Sequence, residues 1–427
     1  MTRGNRTVLG HGFALYWTAS LVSGLGSGVS LIALPLLAAL TLHAQGDEIG
    51  ALRAAESAPY VALALVAGVL ADRMPARYLM ITADLARGLL LGLIPVLALT
   101  GALTLPMLIV LAACVGAFTV LFDVGQFSLL GGLVDDERLL DANKAMELTR
   151  GGSAILGPSL GGVLVAALRA YGAVVVDAVS YLASAVLLAR LPDAPARAPA
   201  GGQGSGRDRR AHGRGSMWAG ARQVLADPLL RPMTLYLGLN NLINQAFMTA
   251  VLVFLAISLR AGPASVGLVF GAYGGGFCAG AATAARTGRT AGLGRTVCLS
   301  SVLGALGIVI VAVSAGRTGA PATVLAMAGT ALVGWSGPLF NVQSVTLRLA
   351  ITPAGILGRV NAMVKLASQG AVSLGALLGG FLITAIAAQV TFATLGAASL
   401  AATAVLIFSA IRRLRQPPAG TRSDDGS

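Results

Sequence analysis

Charge is scarce in this chain. Only 11% of its 427 residues are Asp, Glu, Lys or Arg, against roughly 25% in a soluble globular protein, so most of the chain is not built to face water. Cysteine is nearly absent. Cys114, Cys278 and Cys298 stand far apart in or beside apolar stretches, which excludes a disulfide framework or a metal-binding spacing and reads as buried packing. The histidines His11, His43 and His212 fall at terminal or loop positions, where nothing marks them as ligands. No phosphate-cradling Gly-Lys-Ser/Thr loop is present, so the chain does not hydrolyse ATP itself. Its carboxylates are dispersed rather than gathered at one membrane depth, and no enzyme activity, cofactor or metal is expected. The first apolar block is too long for a cleavable signal peptide and has no small-residue cleavage site.

What is present is apolarity, at 56% of the residues. At about 20 apolar residues per spanning helix, the chain accommodates about twelve spans with short loops. The apolar blocks place them at 13–40, 50–71, 78–100, 105–130, 145–168 and 172–190, then 233–259, 264–285, 295–315, 321–347, 361–387 and 390–411. The expected organisation is a six-helix bundle over 1–190, a linker over 191–231, a second six-helix bundle over 232–415 and a disordered tail over 416–427. The linker is rich in Pro, Gly and Arg, and its end, Trp218 to Leu225, has the pattern of a short amphipathic helix. The net charge of +13 is spread between apolar blocks rather than along one polar face, which argues against nucleic acid and for membrane topology. Arginines crowd the segments that share a side with both termini: Arg73, Arg77, Arg286, Arg289, the central linker and Arg412, Arg413 and Arg415. The positive-inside rule puts that side in the cytoplasm.

The two halves repeat each other. A shift of 218 residues carries Gly116 onto Gly334, Phe122-Asp123-Val124 onto Phe340-Asn341-Val342, Asn143 onto Asn361, Gly157 onto Gly375 and Gly161-Gly162 onto Gly379-Gly380. Matches held at one offset through two spans point to a parallel duplication, the architecture of transporters that rock two halves about a central site.

Two motifs refine this. The loop after span 2 has Gly68, Asp72, Arg73 and Arg77, and it resembles the conserved cytoplasmic loop of the major facilitator superfamily. That resemblance implies a gating latch. The corresponding second-half loop, Gly280 to Arg289, has Ala284-Ala285 where the Asp-Arg pair would stand. Span 5 has Gly157, Pro158, Gly161 and Gly162, small residues that allow close helix approach beside a helix-bending proline. This run resembles the antiporter motif of exporters in that superfamily. Thr352-Pro353, Gly358-Arg359-Val360-Asn361 and the run through Asp177, Ser180 and Tyr181 resemble the subfamily of enterobactin and macrolide exporters. Span 1 departs from that subfamily with Gly26-Ser27-Gly28 in place of Gly-Asp, and span 4 carries Asp123 and lacks the arginine of many drug–proton antiporters.

Charge inside a bilayer costs roughly 2.5–3.5 kcal/mol per residue and marks either a partner or a water-filled cavity. Asp84 and Arg87, three residues apart, share a helix face and either pair or exchange protons. Glu56, close to Arg53, is a proton carrier or half of an interfacial pair. Asp177 is a candidate for proton exchange or for a hydrogen bond between helices. Asp123, matched by Asn341 across the repeat, suits a gate cap, a substrate contact or a proton site. Glu147 maps onto Lys365, opposite charges able to close a salt bridge between halves. Asn240, Asn241, Asn244 and Gln245, with Gln343 and Gln369, either line a cavity or bond helices to one another.

The expected protein is an all-α polytopic bundle of the bacterial plasma membrane with both termini cytoplasmic. It is expected to be a monomer in lipid that exports a hydrophobic or amphiphilic small molecule in exchange for protons. An uptake symporter of the same fold and a membrane-embedded enzyme or lipid flippase are the alternatives. If the latch assignment holds, Asp72→Asn cripples transport while the protein stays in the membrane; unchanged transport in a vesicle assay refutes it.

Overall fold

The computed structural model describes residues 10–134, 138–191, 222–352 and 354–414, without the side chains of 11, 64–73, 127, 128, 140, 354–359, 362, 410 and 413. Helices account for nearly all of this, and no strand occurs among the described residues. The first half contains α1 (Gly10–Thr41), α2 (Gly46–Arg73), α3 (Ala76–Leu99), α4 (Leu105–Leu133) and α5 (Leu139–Ala189). The second contains α6 (Leu230–Val253), α7 (Pro263–Ala291), α8 (Leu293–Ala315), α9 (Gly319–Ile351), α10 (Ala354–Ala385) and α11 (Ala388–Ile407). Ten helices among the described residues are long and apolar enough to cross a membrane. One of them, α5, kinks at Arg169 (φ 63°, ψ 170°) and supplies two spanning arms. Together with α2 these make twelve segments of an all-α membrane protein. The loop expected over 169–171 is thus reduced to one left-handed residue.

The helices overrun the expected spans. α9 has 33 residues, or about 50 Å at about 1.5 Å per residue, against a hydrocarbon core of about 30 Å. Apolarity marks where the bilayer ends, whereas a helix continues until its backbone is capped. The outward faces are apolar too: Leu89 is 70% and Val110 60% exposed, as suits side chains that meet lipid rather than water. Cys278 corrects an expectation, because it is exposed on α7 rather than buried. A thiol is small and apolar enough for a lipid-facing position.

The described residues fall into two compact units, drawn from 1–44, 55–203 and 262–267 and from 45–54, 204–261 and 268–427. In the first, α1 packs along α5, and α3 packs against α4 and α5. Phe13, Tyr16, Met80, Phe122 and Leu188 form its core. In the second, α6 packs on α10 and α11, and α8 on α9 and α11. There Phe392 meets Phe247 and Phe254 edge-on, with ring centroids 5.9 and 5.7 Å apart.

Equivalent glycines do equivalent work in the two halves. A Cβ on Gly116 would strike the Glu56 carbonyl of α2, and one on Gly334 would strike the Tyr273 carbonyl of α7. Gly157 and Gly161 lie against Leu25, Gly28 and Val29 of α1, while Gly375 and Gly379 lie against Leu242 and Ala246 of α6. With little hydrophobic drive between helices in lipid, such backbone approach supplies the packing energy. The turns repeat as well. Gly101 and Gly319, at the 218-residue offset, have φ of 70° and 67°. His43 and Arg260, one residue out of register, have φ of 54° and 50°.

Glycine substitutions should therefore separate by contact. Gly116→Ala and Gly334→Ala are expected to cost about 1–3 kcal/mol each through overpacking. Gly92→Ala, with open space around it, should be neutral or gain up to about 1 kcal/mol in helix propensity. Thermal unfolding in detergent measures both; equal shifts at the three sites refute the contact assignment.

Candidate functional site

Polar residues within an apolar bundle need partners, and in the first unit they gather around one cavity of about 320 Å³. α1 contributes Ser20, Ser23 and Ser27, whose spacing of three and four residues sets them on one helical face. Across from them stand Thr119, Asp123 and Gln126 of α4, and Thr149, Arg150 and Ser153 of the first arm of α5. Arg87 of α3 completes the wall.

At one edge of this cavity Gln126 ties three helices. Its Oε1 accepts from Arg150 Nη2 at 2.9 Å, its Nε2 donates to Ser20 Oγ at 3.4 Å, and its carbonyl accepts from the Tyr16 hydroxyl at 3.2 Å. Trp17 Nε1 donates to Thr149 Oγ1 at 2.6 Å. Asp123 accepts from the Tyr60 hydroxyl of α2 at 3.3 Å.

Behind the wall lies a buried charged cluster. Arg87, 2% exposed, makes an ion pair with Asp84, 0% exposed. The guanidinium carbon stands 4.3 Å from the Phe122 ring centroid and 4.2 Å from that of Tyr181. Two aromatic faces thus grip a cation already held by a carboxylate. Asp177, from the second arm of α5, accepts from Ser30 of α1 and from Ser180 at 3.1 Å. Ser27 Oγ donates to the Ser23 carbonyl, so the Tyr181 hydroxyl is the donor in its 2.8 Å bond to Ser27. α1 can approach this cluster because residue 26 is glycine; a Cβ there would collide with Ser180 and Asp177.

The other sequence candidates lie elsewhere. Gly68, Asp72 and Arg73 fall on the last turns of α2, and their side chains are outside the described residues, as are those of Pro353, Gly358 and Arg359. Residues 192–221 of the linker and the tail from 415 also lie outside them. Arg77 donates to the Leu188 and Ala189 carbonyls at 3.1 and 2.6 Å, capping the end of α5 with a cation. Pro158 is inside α5, and Gly162 sits backbone to backbone with Gly267. Glu147 and Arg150 are 3.9 Å apart on α5, and Lys365 is exposed on α10. The Glu56 carbonyl faces Gly116.

In the second unit, Asn240 accepts from Tyr236 at 3.4 Å and Asn241 donates to Ser368 of α10. Gln343 is buried and donates to the Ala284 carbonyl at 3.1 Å, and Asn244 is hydrogen-bonded to Tyr273. Gln245 packs on Gly375, the Gln369 carbonyl accepts from Ser373, and Asn341 is exposed on α9. The Asn241, Asn244 and Gln343 bonds run between helices of that unit, the Asn240 and Gln369 bonds stay within one helix, and none of these residues lines the cavity of the first.

Sequence reasoning missed Gln126, Arg150, Trp17 and Tyr60. The serine spacing of α1 was the readable signal: Ser20, Ser23, Ser27 and Ser30 repeat at helical intervals within an otherwise apolar span.

A duplicated twelve-segment membrane bundle with a polar, charged cavity defines a transporter of the major facilitator class. Comparison with known proteins gives the family. The family model described as "Transmembrane secretion effector" matches residues 8–422, and the chain belongs to that family. The enterobactin exporter EntS of Citrobacter koseri is 27% identical over 417 residues, covering 95% of this chain and 94% of the exporter. Among solved structures, the nucleoside transporter NupG superposes with a TM-score of 0.73 at 13% identity, over 93% of this chain and 98% of its own. A bacterial homologue of the iron transporter ferroportin, in an inward-facing state, gives a TM-score of 0.73 at 14% identity over the same shares. The protein is thus a multi-pass small-molecule transporter related to the enterobactin exporters.

The Tyr181–Ser27 bond should register as one interaction. Tyr181→Phe and Ser27→Ala are each expected to cost about 0.5–1.5 kcal/mol, and the double variant no more than the costlier single one. Unfolding midpoints in detergent measure this; fully additive losses mean the two hydroxyls act independently.

Proposed function

We propose that this transporter exports an amphiphilic small molecule, such as a drug, siderophore or other secondary metabolite, by exchange with protons. The single observation that carries this reading is the cavity of the first unit: hydroxyl, amide and charged groups facing a space between membrane helices. Its volume, about 320 Å³, is at the small end of the roughly 300–1,000 Å³ common for ligand sites. The cargo's polar part binds there, against the serine face of α1 and Arg150, while its apolar part is accommodated by Leu31, Phe122 and Met146. Export is favoured over uptake by the relatedness to exporters and by the Gly157–Gly162 run.

In this reading Asp177 carries the proton. It is 1% exposed, held by two hydroxyls and set behind the cavity wall, so its charge can be added or removed without rebuilding the bundle. Asp123, half-buried at the cavity, binds cargo or guards the gate. Asp72 and Arg73 latch the cytoplasmic side, Arg77 anchors α5, and Glu147 and Lys365 form a gate pair when the halves tilt. Alternating access proceeds about the six-helix halves, 1–190 and 232–415. The chain works as a monomer in the plasma membrane, with both termini and the linker cytoplasmic.

Everted membrane vesicles test the proposal. An amphiphilic dye should accumulate when respiration acidifies the lumen, and a protonophore should abolish the accumulation. Asp177→Asn should lower proton-driven accumulation by about tenfold or more while leaving the protein in the membrane. Accumulation that persists with the protonophore, or only in intact cells, overturns proton-linked export.

A further inference from the structure

We infer that Arg87 is an anion receptor of the cavity: an acidic group on the cargo replaces Asp84 as its counter-ion, and Asp84 takes up a proton as it is released. The inference rests on the reading above that this cavity is the cargo site, and it adds the chemistry that the cargo must carry.

The geometry supports an exchangeable pair rather than a purely structural one. Arg87 lines the cavity although its side chain is only 3% exposed. A guanidinium presents five donors in a planar fork, yet Arg87 Nε has no hydrogen-bond partner among the described residues. Asp84 bonds Arg87 through Oδ1 alone; the buried Ser184 hydroxyl is the one further group at its carboxyl, and neither that hydroxyl nor Oδ2 has a formed hydrogen bond among the described residues. A purely structural buried pair is stable only when its remaining donors and lone pairs are satisfied, and this one is left incomplete on both sides. Phe122 and Tyr181 hold the guanidinium from two faces. The cation therefore stays in place when its anion changes, because the rings bind charge without neutralising it.

The neighbouring charges fit the exchange. α3 packs on α4 and α5. From these elements Asp123 and Arg150 face the cavity, one of each sign and each already engaged. Asp177 and Tyr181 of α5 stand behind Arg87. If Asp84 kept its charge after losing Arg87, it would be an unpaired buried carboxylate, which is held neutral instead by binding a proton. The balance is one anionic group and one proton taken from the water of the cavity, with no change in the net charge of the Asp84–Arg87–ligand set. The pair thus loads an acidic cargo as its neutral acid, Asp84 returning the proton when Arg87 pairs with it again on release, and the exchange with protons is left to Asp177.

The probe pair is anilinonaphthalene sulfonate, an amphiphilic anion, and phenylnaphthylamine, its neutral counterpart, titrated by fluorescence against the full-length protein in lipid nanodiscs with empty discs subtracted. Arg87→Gln should weaken the sulfonate by about tenfold or more, the worth of one charge-assisted contact, with the neutral probe changed less than about twofold. Arg87→Lys should retain most of the sulfonate affinity. Asp84→Asn, which frees Arg87 at nearly constant side-chain size, should tighten the sulfonate. Wild-type sulfonate affinity should rise as pH falls, and Asp84→Asn should abolish that dependence. Sulfonate binding indifferent to Arg87→Gln overturns the inference, as does an equal effect of every variant on both probes. Failure of the neutral probe to bind wild-type protein that still transports sinks the cavity as cargo site; loss of the sulfonate effect alone sinks only the Arg87 assignment.

Discussion

A guanidinium with almost no contact with water needs an anion and a polarisable surface, and much of the first unit follows from meeting that need. Arg87 draws Asp84 from its own helix, Phe122 from α4 and Tyr181 from the second arm of α5. These contacts fix the rotation of three helices about their axes. Once Tyr181 is placed, its hydroxyl reaches Ser27, and α1 must come close enough for that bond to form. Gly26 and Gly28 permit the approach. The cavity is the space left on the other side of the same arrangement, and its polarity is a consequence of where these side chains were already required.

The second unit solves the same packing problem with fewer charges. Its helix contacts rest on carbonyl-to-glycine approach, on the Phe247–Phe392–Phe254 stack and on amide bonds such as Gln343 to Ala284. Within a duplicated fold, the charged cluster is thus concentrated in one half. The halves share their close-packing glycines while differing in the chemistry of the space between helices. Asp123 facing a cavity and Asn341 exposed on α9 express this difference at one pair of repeat positions.

The fold was legible because lipid imposes a simple rule on sequence: apolar blocks of bilayer length are helices, and a repeat at constant offset is a duplicated bundle. The blocks placed every spanning segment, including α2, where charges at both ends frame an apolar middle. Helix ends were less legible, since α1, α9 and α10 continue beyond the apolar stretch on backbone hydrogen bonding alone. The site was legible only in part. Asp84 and Arg87 could be paired from their spacing, but the rings that enclose them come from positions 122 and 181, with no local signature. Gln126 and Arg150 fall near the ends of their apolar stretches, where a polar residue in sequence reads as an interfacial flank. The asparagine cluster of α6 was conspicuous for the opposite reason, its density, and its bonds go to Tyr236 of the same helix and to Ser368 of α10 rather than into the cavity.

Gly101 and Gly319 lead to a different kind of consequence. Both turns hold a backbone angle that L side chains rarely adopt, and both lie at the entry to the fourth helix of their half. Most side chains at the 218-residue offset have diverged, yet this torsion angle has not. The repeat is thus kept more plainly in the path of the main chain than in the side chains it carries. Distant members of this lineage should be easier to align by their turns than by their cavities.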